Sequence, residues 1–234
     1  MIKTARKLWL AAVFCVAVAG VGRAAEEPPV LMIGDSMMRL LGIALEKELK
    51  SAGVQPAVSF SSLASGLARM DAFDWFAKVD ELMSEHKPAT VVVTLGANDR
   101  QALMDSTGRV VQFGTPDWEK EYALRVGRIM DDLLKGGAKR VIWLLLPDMR
   151  DGAQQEYAKS VNELFAREIA AETRKDKIVA YEMAPLLSRR SGKFSLYMMA
   201  PNGAALTVRD ADGVHMTNPG AKLVAQAIVK KFFK

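Results

Sequence analysis

The stretch Val30-Leu-Met-Ile-Gly-Asp-Ser-Met-Met38 decides the reading of this chain. Residues 30–33 are a short apolar run of the kind that forms a strand buried on both faces. Gly34 permits a sharp turn, and residues 37–50 read as a helix with Leu40, Leu41, Ile43, Ala44, Leu45 and Leu49 as its apolar stripe. Strand, turn and helix place Ser36 at the carboxyl edge of a strand, beside the free N–H groups of a helix start. That position suits a nucleophile or a bound anion. It equally suits a plain helix cap, because Ser and Asp are favoured N-caps.

Outward from that unit, strands and helices alternate. Residues 57–60 read as a second short strand that leads into Ser61-Ser-Leu-Ala-Ser-Gly66. Residues 73–86 have the spacing of an amphipathic helix, with Phe73, Phe76, Val79, Leu82 and Met83 inward and Pro88 as its stop. Thr90-Val-Val-Val-Thr-Leu95 is rich in β-branched residues and reads as a buried strand. Residues 118–134 form a helix ended by Gly136-Gly137, and 140–146 a strand stopped by Pro147. A helix over 154–171, a short strand over 178–181 and a helix over 218–233 follow, the last with Pro219 in its first turn. This alternation implies an α/β domain whose parallel sheet is covered on both faces, with ligands bound beyond the carboxyl ends of the strands. Two stretches outside the pattern, 101–116 and 184–212, read as surface excursions that shape a cleft or merely cover it. No repeat, low-complexity tract or linker-like composition appears, so residues 26–234 read as one domain.

At the amino terminus, Lys3, Arg6 and Lys7 precede an uncharged apolar run over 8–20, and Gly22-Arg-Ala-Ala25 supplies small residues. This is the pattern of a signal peptide over residues 1–25, cleaved to release a periplasmic or secreted protein, with an uncleaved anchor as the alternative. The run is short for a membrane span, and bulky Phe14 stands where a lipoprotein at Cys15 needs a small residue. Cys15 is the sole cysteine, so a chain processed at this point has neither disulfide nor thiol nucleophile. Gly20-Val-Gly22-Arg-Ala-Ala loosely matches a dinucleotide fingerprint, but it follows no strand. Part of the formal charge of +5 lies in this leader. The remainder is mildly basic and holds no Lys/Arg block with interleaved aromatics, which excludes nucleic acid as an indicated partner.

A nucleophilic serine needs a neighbouring base, and the base needs a carboxylate to fix its tautomer. The chain has two histidines. His86 ends a polar helix beside Lys87 and Pro88 and reads as a solvated side chain. His215 lies in Asp210-Ala-Asp-Gly-Val-His-Met-Thr217, just before the final helix. A turn at Gly213 would bring the Asp212 carboxylate onto its ring; the plainer alternative is a polar turn that caps the helix. No cluster at metal-ligand spacing, His-Glu-x-x-His, phosphate loop or Gly-x-Ser-x-Gly elbow is present, so the sequence calls for neither metal nor cofactor.

Taken together, Gly34-Asp-Ser36, Gly66, Gly96-x-Asn98-Asp99 and Asp212-x-x-His215 resemble, in order, the motif blocks of the SGNH (GDSL-type) hydrolases. The resemblance spans essentially all of residues 26–234, and it is the order and spacing of the four blocks that make it specific. Ser65-Gly-Leu-Ala-Arg69, Gly96-Ala-Asn-Asp-Arg-Gln101 and Asp212-Gly-Val-His-Met-Thr217 look like a bacterial secreted branch whose substrates are mostly unassigned. The resemblance implies a flavodoxin-like three-layer α/β/α sandwich with a parallel sheet of about five strands. It implies Ser36 as nucleophile, His215 as general base and then acid, and Asp212 as the orienting carboxylate; Asp210 is a rival whose separation from His215 departs from the motif. The backbone N–H groups of Ser36 and Gly66 and the side-chain amide of Asn98 would form the oxyanion hole. A side chain at position 66 would crowd the acyl group, and Asp35 and Asp99 would brace their loops.

Other residues extend the expectation toward substrate. Arg69, Arg100, Arg109 and Arg150 fall on or near the proposed active edge and suit an anionic substrate, although loop arginines are commonly solvated or paired. Met37, Met38, Met198 and Met199 could line an acyl pocket or fill the core. Trp118 could stack on a sugar or anchor the 101–116 excursion. The resulting expectation is a secreted serine esterase that removes small, acetyl-like groups from an extracytoplasmic carbohydrate through an acyl-enzyme. An O-acyltransferase acting on cell-envelope polysaccharide or peptidoglycan is the alternative within the same fold, and a non-catalytic binding protein is the alternative of a different class.

Overall fold

The apolar runs of the sequence lie side by side in the computed structural model, which describes residues 28–190, 192–200 and 203–234. In chain order the elements are β1 (Val30–Gly34), α1 (Ser36–Ser51), β2 (Ala57–Ser61), α2 (Trp75–His86), β3 (Thr90–Thr94), β4 (Leu103–Met104) and β5 (Val110–Val111). They continue with α3 (Pro116–Lys135), β6 (Arg140–Leu145), α4 (Gly152–Ala171), a 3₁₀ turn (Lys175–Lys177), β7 (Ile178–Glu182), α5 (Ala184–Leu187), β8 (Tyr197–Met199), β9 (Ala205–Thr207) and α6 (Asn218–Phe232). Five of the strands form one wholly parallel sheet in the order β2-β1-β3-β6-β7. Parallel strands need crossovers, and right-handed crossovers put helices on opposite faces when the chain changes direction across the sheet. The step from β1 to β2 runs one way and every later step the other. Accordingly α1 packs with α6 on one face, and α2, α3 and α4 pack in succession on the other. The product is the expected three-layer α/β/α sandwich of flavodoxin-like strand order, with its reversal between β1 and β3.

The central strands are apolar because both faces are covered: Leu31, Met32, Ile33, Val91, Val92, Val93, Val141 and Ile142 are fully buried. In α1 the buried ladder runs through Met37, Met38, Leu41, Leu45 and Leu49, an i, i+4 series. Ile43, expected in the stripe, stands about 200° around the helix from Leu41 and is 61% exposed. The helix expected from Phe73 begins at Trp75, because the Asp74 carboxylate caps it by accepting from Phe76 N and Ala77 N. Phe73 instead packs its ring on Phe60 and Trp75.

The two excursions hold more regular structure than expected. The first contains the β4–β5 hairpin, whose turn is built by Asp105 Oδ1 accepting from Thr107 and Arg109, and it ends at Thr115, the N-cap of α3. The second contains α5 and the β8–β9 hairpin. The leader read over residues 1–25 lies outside the described residues. Among the described residues no helix is long and apolar enough to cross a membrane.

Candidate active site

Three turns at the carboxyl edge of the sheet, together with the turn before α6, carry the residues singled out in the sequence. The first joins β1 to α1. Gly34 continues β1 without a positive φ, so it makes no sharp turn; a Cβ there would stand 2.2 Å from Thr94 O, and close approach to β3 is what requires glycine. Asp35, fully buried, caps α1 by accepting from Met37 N at 2.8 Å, and it reaches across to Ala97 N at 3.0 Å in the loop after β3. Burial raises its pKa to about 7 against the opposing pull of those two N–H groups. The cap of the helix is thus Asp35, and the half-buried Ser36 hydroxyl has a different partner.

That partner comes from the turn before α6. His215 Nε2 lies 2.7 Å from Ser36 Oγ, across 179 residues of sequence, and His215 Nδ1 lies 2.5 Å from Asp212 Oδ2. Gly213, at φ +82°, makes the turn that brings these two residues together. The other Asp212 oxygen accepts from Val214 N at 2.7 Å and His215 N at 2.9 Å. Partial burial opposes ionisation of Asp212, but the His215 ring and these two N–H groups outweigh it and hold its pKa below the usual carboxylate value. Asp210, the rival carboxylate, accepts instead from the backbone N–H of its neighbour Ala211 and makes no contact with the ring among the described residues.

The second turn follows β2 and the third follows β3, and Asp99 joins them. Its buried carboxylate accepts from Leu67 N (2.9 Å), Ala68 N (2.8 Å) and the Tyr122 hydroxyl (2.7 Å). Burial raises its pKa, with those donors pulling the other way. Gly66 lies against this carboxylate: a Cβ would stand 2.0 Å from Asp99 Oδ1. Glycine is therefore required by the bracing carboxylate, a reason beside the expected one of leaving room for an acyl group. Asn98 Nδ2 donates to Ser65 O at 2.9 Å, which fixes the amide plane and leaves its second N–H unengaged. The backbone N–H groups of Ser36 and Gly66 likewise have no acceptor among the described residues. Gln154 and Tyr157 of α4 hold the third turn from outside by donating to Ala97 O and Gly96 O. Arg125 of α3 holds the second by donating to Leu67 O and Ala68 O.

The substrate-facing expectations fare unevenly. Trp118 is buried, donates to Gln101 O at 2.8 Å and stacks on Tyr122, so it anchors the excursion and cannot stack on a sugar. Arg69 pairs with Asp71, and Arg109 with Asp105 and Asp117. Arg150 donates to Ala211 O at 2.6 Å and lies over the Phe194 ring. Arg100 is exposed with no partner among the described residues. Met37 and Met38 fill the core; on the β8–β9 hairpin Met198 is half-buried against the core and Met199 is exposed. His86 stands at the end of α2, 3.8 Å from Glu85 and far from this edge in the chain order. Among the described residues no three His, Cys, Asp or Glu side chains converge as metal ligands. Sequence reasoning missed Arg125, Arg209, Gln154 and Tyr157, which answer backbone carbonyls, remote in sequence except for those that Arg209 meets at 213–215, and a carbonyl leaves no local pattern.

Comparison with known proteins places this geometry in context. The model of a family described as "Protein of unknown function (DUF459)" matches residues 29–231. A search of curated proteins returned no match. Among solved structures, an acetyl esterase mutant with an acetate ion superposes at a TM-score of 0.58 and 14% identity, over 88% of this chain and 96% of that one. A lipase/acylhydrolase from Enterococcus faecalis follows at 0.56 and 15%, over 87% and 94%. An acetylxylan esterase from Geobacillus stearothermophilus gives 0.52 and 15%, over 87% and 93%. At such identities the likeness is one of fold, and the resemblance of the motif blocks to the SGNH hydrolases extends to the architecture that carries them.

Proposed function

The chain belongs to the DUF459 family, and from that premise we propose that it is an exported serine ester hydrolase that removes small, acetyl-like groups from an extracytoplasmic carbohydrate. The observation that carries the reading is the continuous chain Ser36 Oγ–His215–Asp212, at 2.7 and 2.5 Å. In this mechanism Ser36 Oγ attacks the ester carbonyl while His215 Nε2 takes its proton. Asp212 holds the ring in the tautomer with Nδ1 protonated and stabilises the imidazolium. The charge that develops on the carbonyl oxygen is met by the unengaged N–H groups of Ser36, Gly66 and Asn98, donors typically worth about 10²–10³ in kcat each. His215 then gives its proton to the departing sugar oxygen, leaving an ester on Ser36. Water, deprotonated by the same nitrogen, attacks that ester and releases the carboxylic acid. Export is read from residues 1–25, and the carbohydrate substrate from that compartment together with the fold shared with carbohydrate esterases.

Ser36→Ala tests the reading, since Asp35 rather than Ser36 caps α1 and the fold should survive the change. Cleavage of p-nitrophenyl acetate should fall on the order of 10⁴-fold or more. Labelling by a fluorophosphonate should disappear, with the melting temperature retained. Full activity in a folded Ser36→Ala protein would remove the serine mechanism.

A further inference from the structure

The turn that carries Asp212 and His215 is held by bonds of its own, among them Asp210 N to His215 O at 2.8 Å, and also from outside. Four of its carbonyl groups, those of Ala211, Gly213, Val214 and His215, face two arginines. Arg209 is fully buried: Nη2 donates to Val214 O at 2.7 Å and lies 3.5 Å from Gly213 O, and Nε lies 3.4 Å from His215 O. Its remaining arm, Nη1, donates to Asp148 O at 2.6 Å in the loop after β6. Arg150, in that same loop, donates from Nη1 to Ala211 O at 2.6 Å and from its backbone N–H to Gly213 O at 3.1 Å. Phe194 lies against both guanidinium groups, 5.0 Å from Arg209 Cζ and 4.7 Å from Arg150 Cζ. The contact is also close on the backbone side, where a Cβ on Gly213 would meet Arg150 Cβ at 2.5 Å.

A buried guanidinium is costly unless its donors and its charge are answered. Arg209 makes no ion pair among the described residues; it is satisfied by carbonyl oxygens, a thioether contact with Met149 and the longer-range attraction of Asp212 and Asp148. Burial lowers its pKa to about 10, so it remains a cation at neutral pH. An apolar side chain would fill the same space without that cost, but it would leave Val214 O, next to the base, and Asp148 O, in the loop after β6, without their donor. Only a planar fork with donors in three directions spans Asp148 O, Val214 O and His215 O together, which a lysine ammonium cannot do.

We propose that Arg209, with Arg150 as its outer member, forms a clasp that positions the Asp212–His215 pair against Ser36. The inference rests on the serine-hydrolase reading above and adds positioning residues to it; neither arginine touches the reacting atoms. Arg150, expected as a substrate ligand, then acts on the base instead.

Steady-state kinetics on p-nitrophenyl acetate, with melting temperatures, test the clasp. Folded Arg209→Lys should lose about a hundredfold in kcat, the effect of moving a catalytic group by roughly an ångström, while KM changes by less than about twofold. Arg150→Ala, at an exposed site, should fold normally and lose kcat several-fold at unchanged KM. Fluorophosphonate labelling of Ser36 should slow in parallel in both. A residue that acts through the ring should add little once the ring is already misoriented, so both losses should shrink toward onefold in an Asp212→Asn background. Losses of undiminished size in that background, or unchanged kcat in folded Arg209→Lys, would overturn the clasp. So would a raised KM at unchanged kcat in Arg150→Ala, which would return that residue to the substrate. Should Arg209→Lys fail to fold, the Arg150→Ala cycle decides alone. Retained activity in Ser36→Ala would instead overturn the serine mechanism beneath it.

Discussion

At the scale of single residues, two neighbouring carboxylates divide their work by what the turn lets them reach. Asp212 Oδ2 meets the His215 ring, whereas Asp210 is turned onto Ala211 N. Asp212→Asn should therefore lower kcat on the order of 10⁴-fold, since an amide donor at Nδ1 selects the wrong tautomer. Asp210→Asn should stay within a few-fold, and the reverse ranking in a kinetic comparison of the two would reassign the orienting group. Gly66 makes a second case. Its missing Cβ is the space occupied by Asp99 Oδ1, and that carboxylate also holds Leu67 N, Ala68 N and the Tyr122 hydroxyl. Gly66→Ala must push the carboxylate off these donors, and overpacking of this kind costs roughly 1–3 kcal/mol. Both the melting temperature and kcat should fall, because the displaced turn carries the Gly66 N–H. A Gly66→Ala protein as stable as the parent would show that Asp99 does not constrain this position. Gly66 was visible in the sequence as a motif glycine, but the reason for it was not: the partner lies 33 residues away and enters only through the fold.

At the scale of elements, legibility followed length. The long helices and the apolar strands of the sheet announce themselves by periodicity, whereas the caps Asp74 and Thr115 went unread, and the expected starts of α2 and α3 each missed by two residues. Strands β4, β5, β8 and β9 are two or three residues each, too short to repeat any pattern, so 101–116 and 184–212 read as featureless excursions. Of the site, the motif residues were legible while their supports were not. Arg209, Arg125, Gln154 and Tyr157 all answer backbone carbonyls, and a carbonyl has no identity in a sequence. The start of α6 shows how an element can serve the site it adjoins. Thr217 Oγ1 accepts from Gly220 N at 3.3 Å and donates to Thr207 O at 2.6 Å, tying the helix cap to β9 two residues after His215. Thr217→Ala should cost about 1 kcal/mol. In a protein of this size that corresponds to a fall of roughly 2–4 °C in melting temperature. Loss of the tie to β9 should bring a several-fold drop in kcat, and Thr217→Ser, which keeps both bonds, should restore most of each. Equal effects of the alanine and serine variants would show that the methyl group, not the hydroxyl, matters there.

At the scale of the whole molecule, the reversal of strand order between β1 and β3 opens the edge of the sheet where Ser36 and Asn98 emerge. The resulting site is shallow: the Asp212 and His215 side chains are 43% and 37% exposed. The methionines that follow Ser36 point into the core, and clefts of about 420 and 290 Å³ are lined by residues beside β6 and α4 and between α3 and α4, not by Ser36 or His215. A longer acyl chain gains about 0.8 kcal/mol per methylene only where that methylene is buried. Met37 and Met38, turned into the core, offer no such surface beside Ser36, so p-nitrophenyl acetate should be cleaved with a higher kcat/KM than the butyrate or octanoate ester. The same openness bears on the fate of the acyl-enzyme. Transfer to a sugar requires an acceptor platform that positions a hydroxyl well enough to outcompete water. Of the aromatic residues in the two excursions, Phe113 packs edge-on to Trp118 and Tyr157, and Phe194 lies against Arg150 and Arg209. Among the described residues of the excursions that leaves Tyr197, 48% exposed on β8, and one face of Phe113, 36% exposed, a thin platform for orienting an oligosaccharide. Hydrolysis should therefore predominate. Supplying an acetyl donor with chitooligosaccharide or xylan-type acceptors, and following free acetate and acetylated sugar by mass spectrometry, should give acetate as the main product. Acetylated sugar in excess would make the protein an acyltransferase, with Ser36, His215 and Asp212 keeping the same roles in the first half of the reaction.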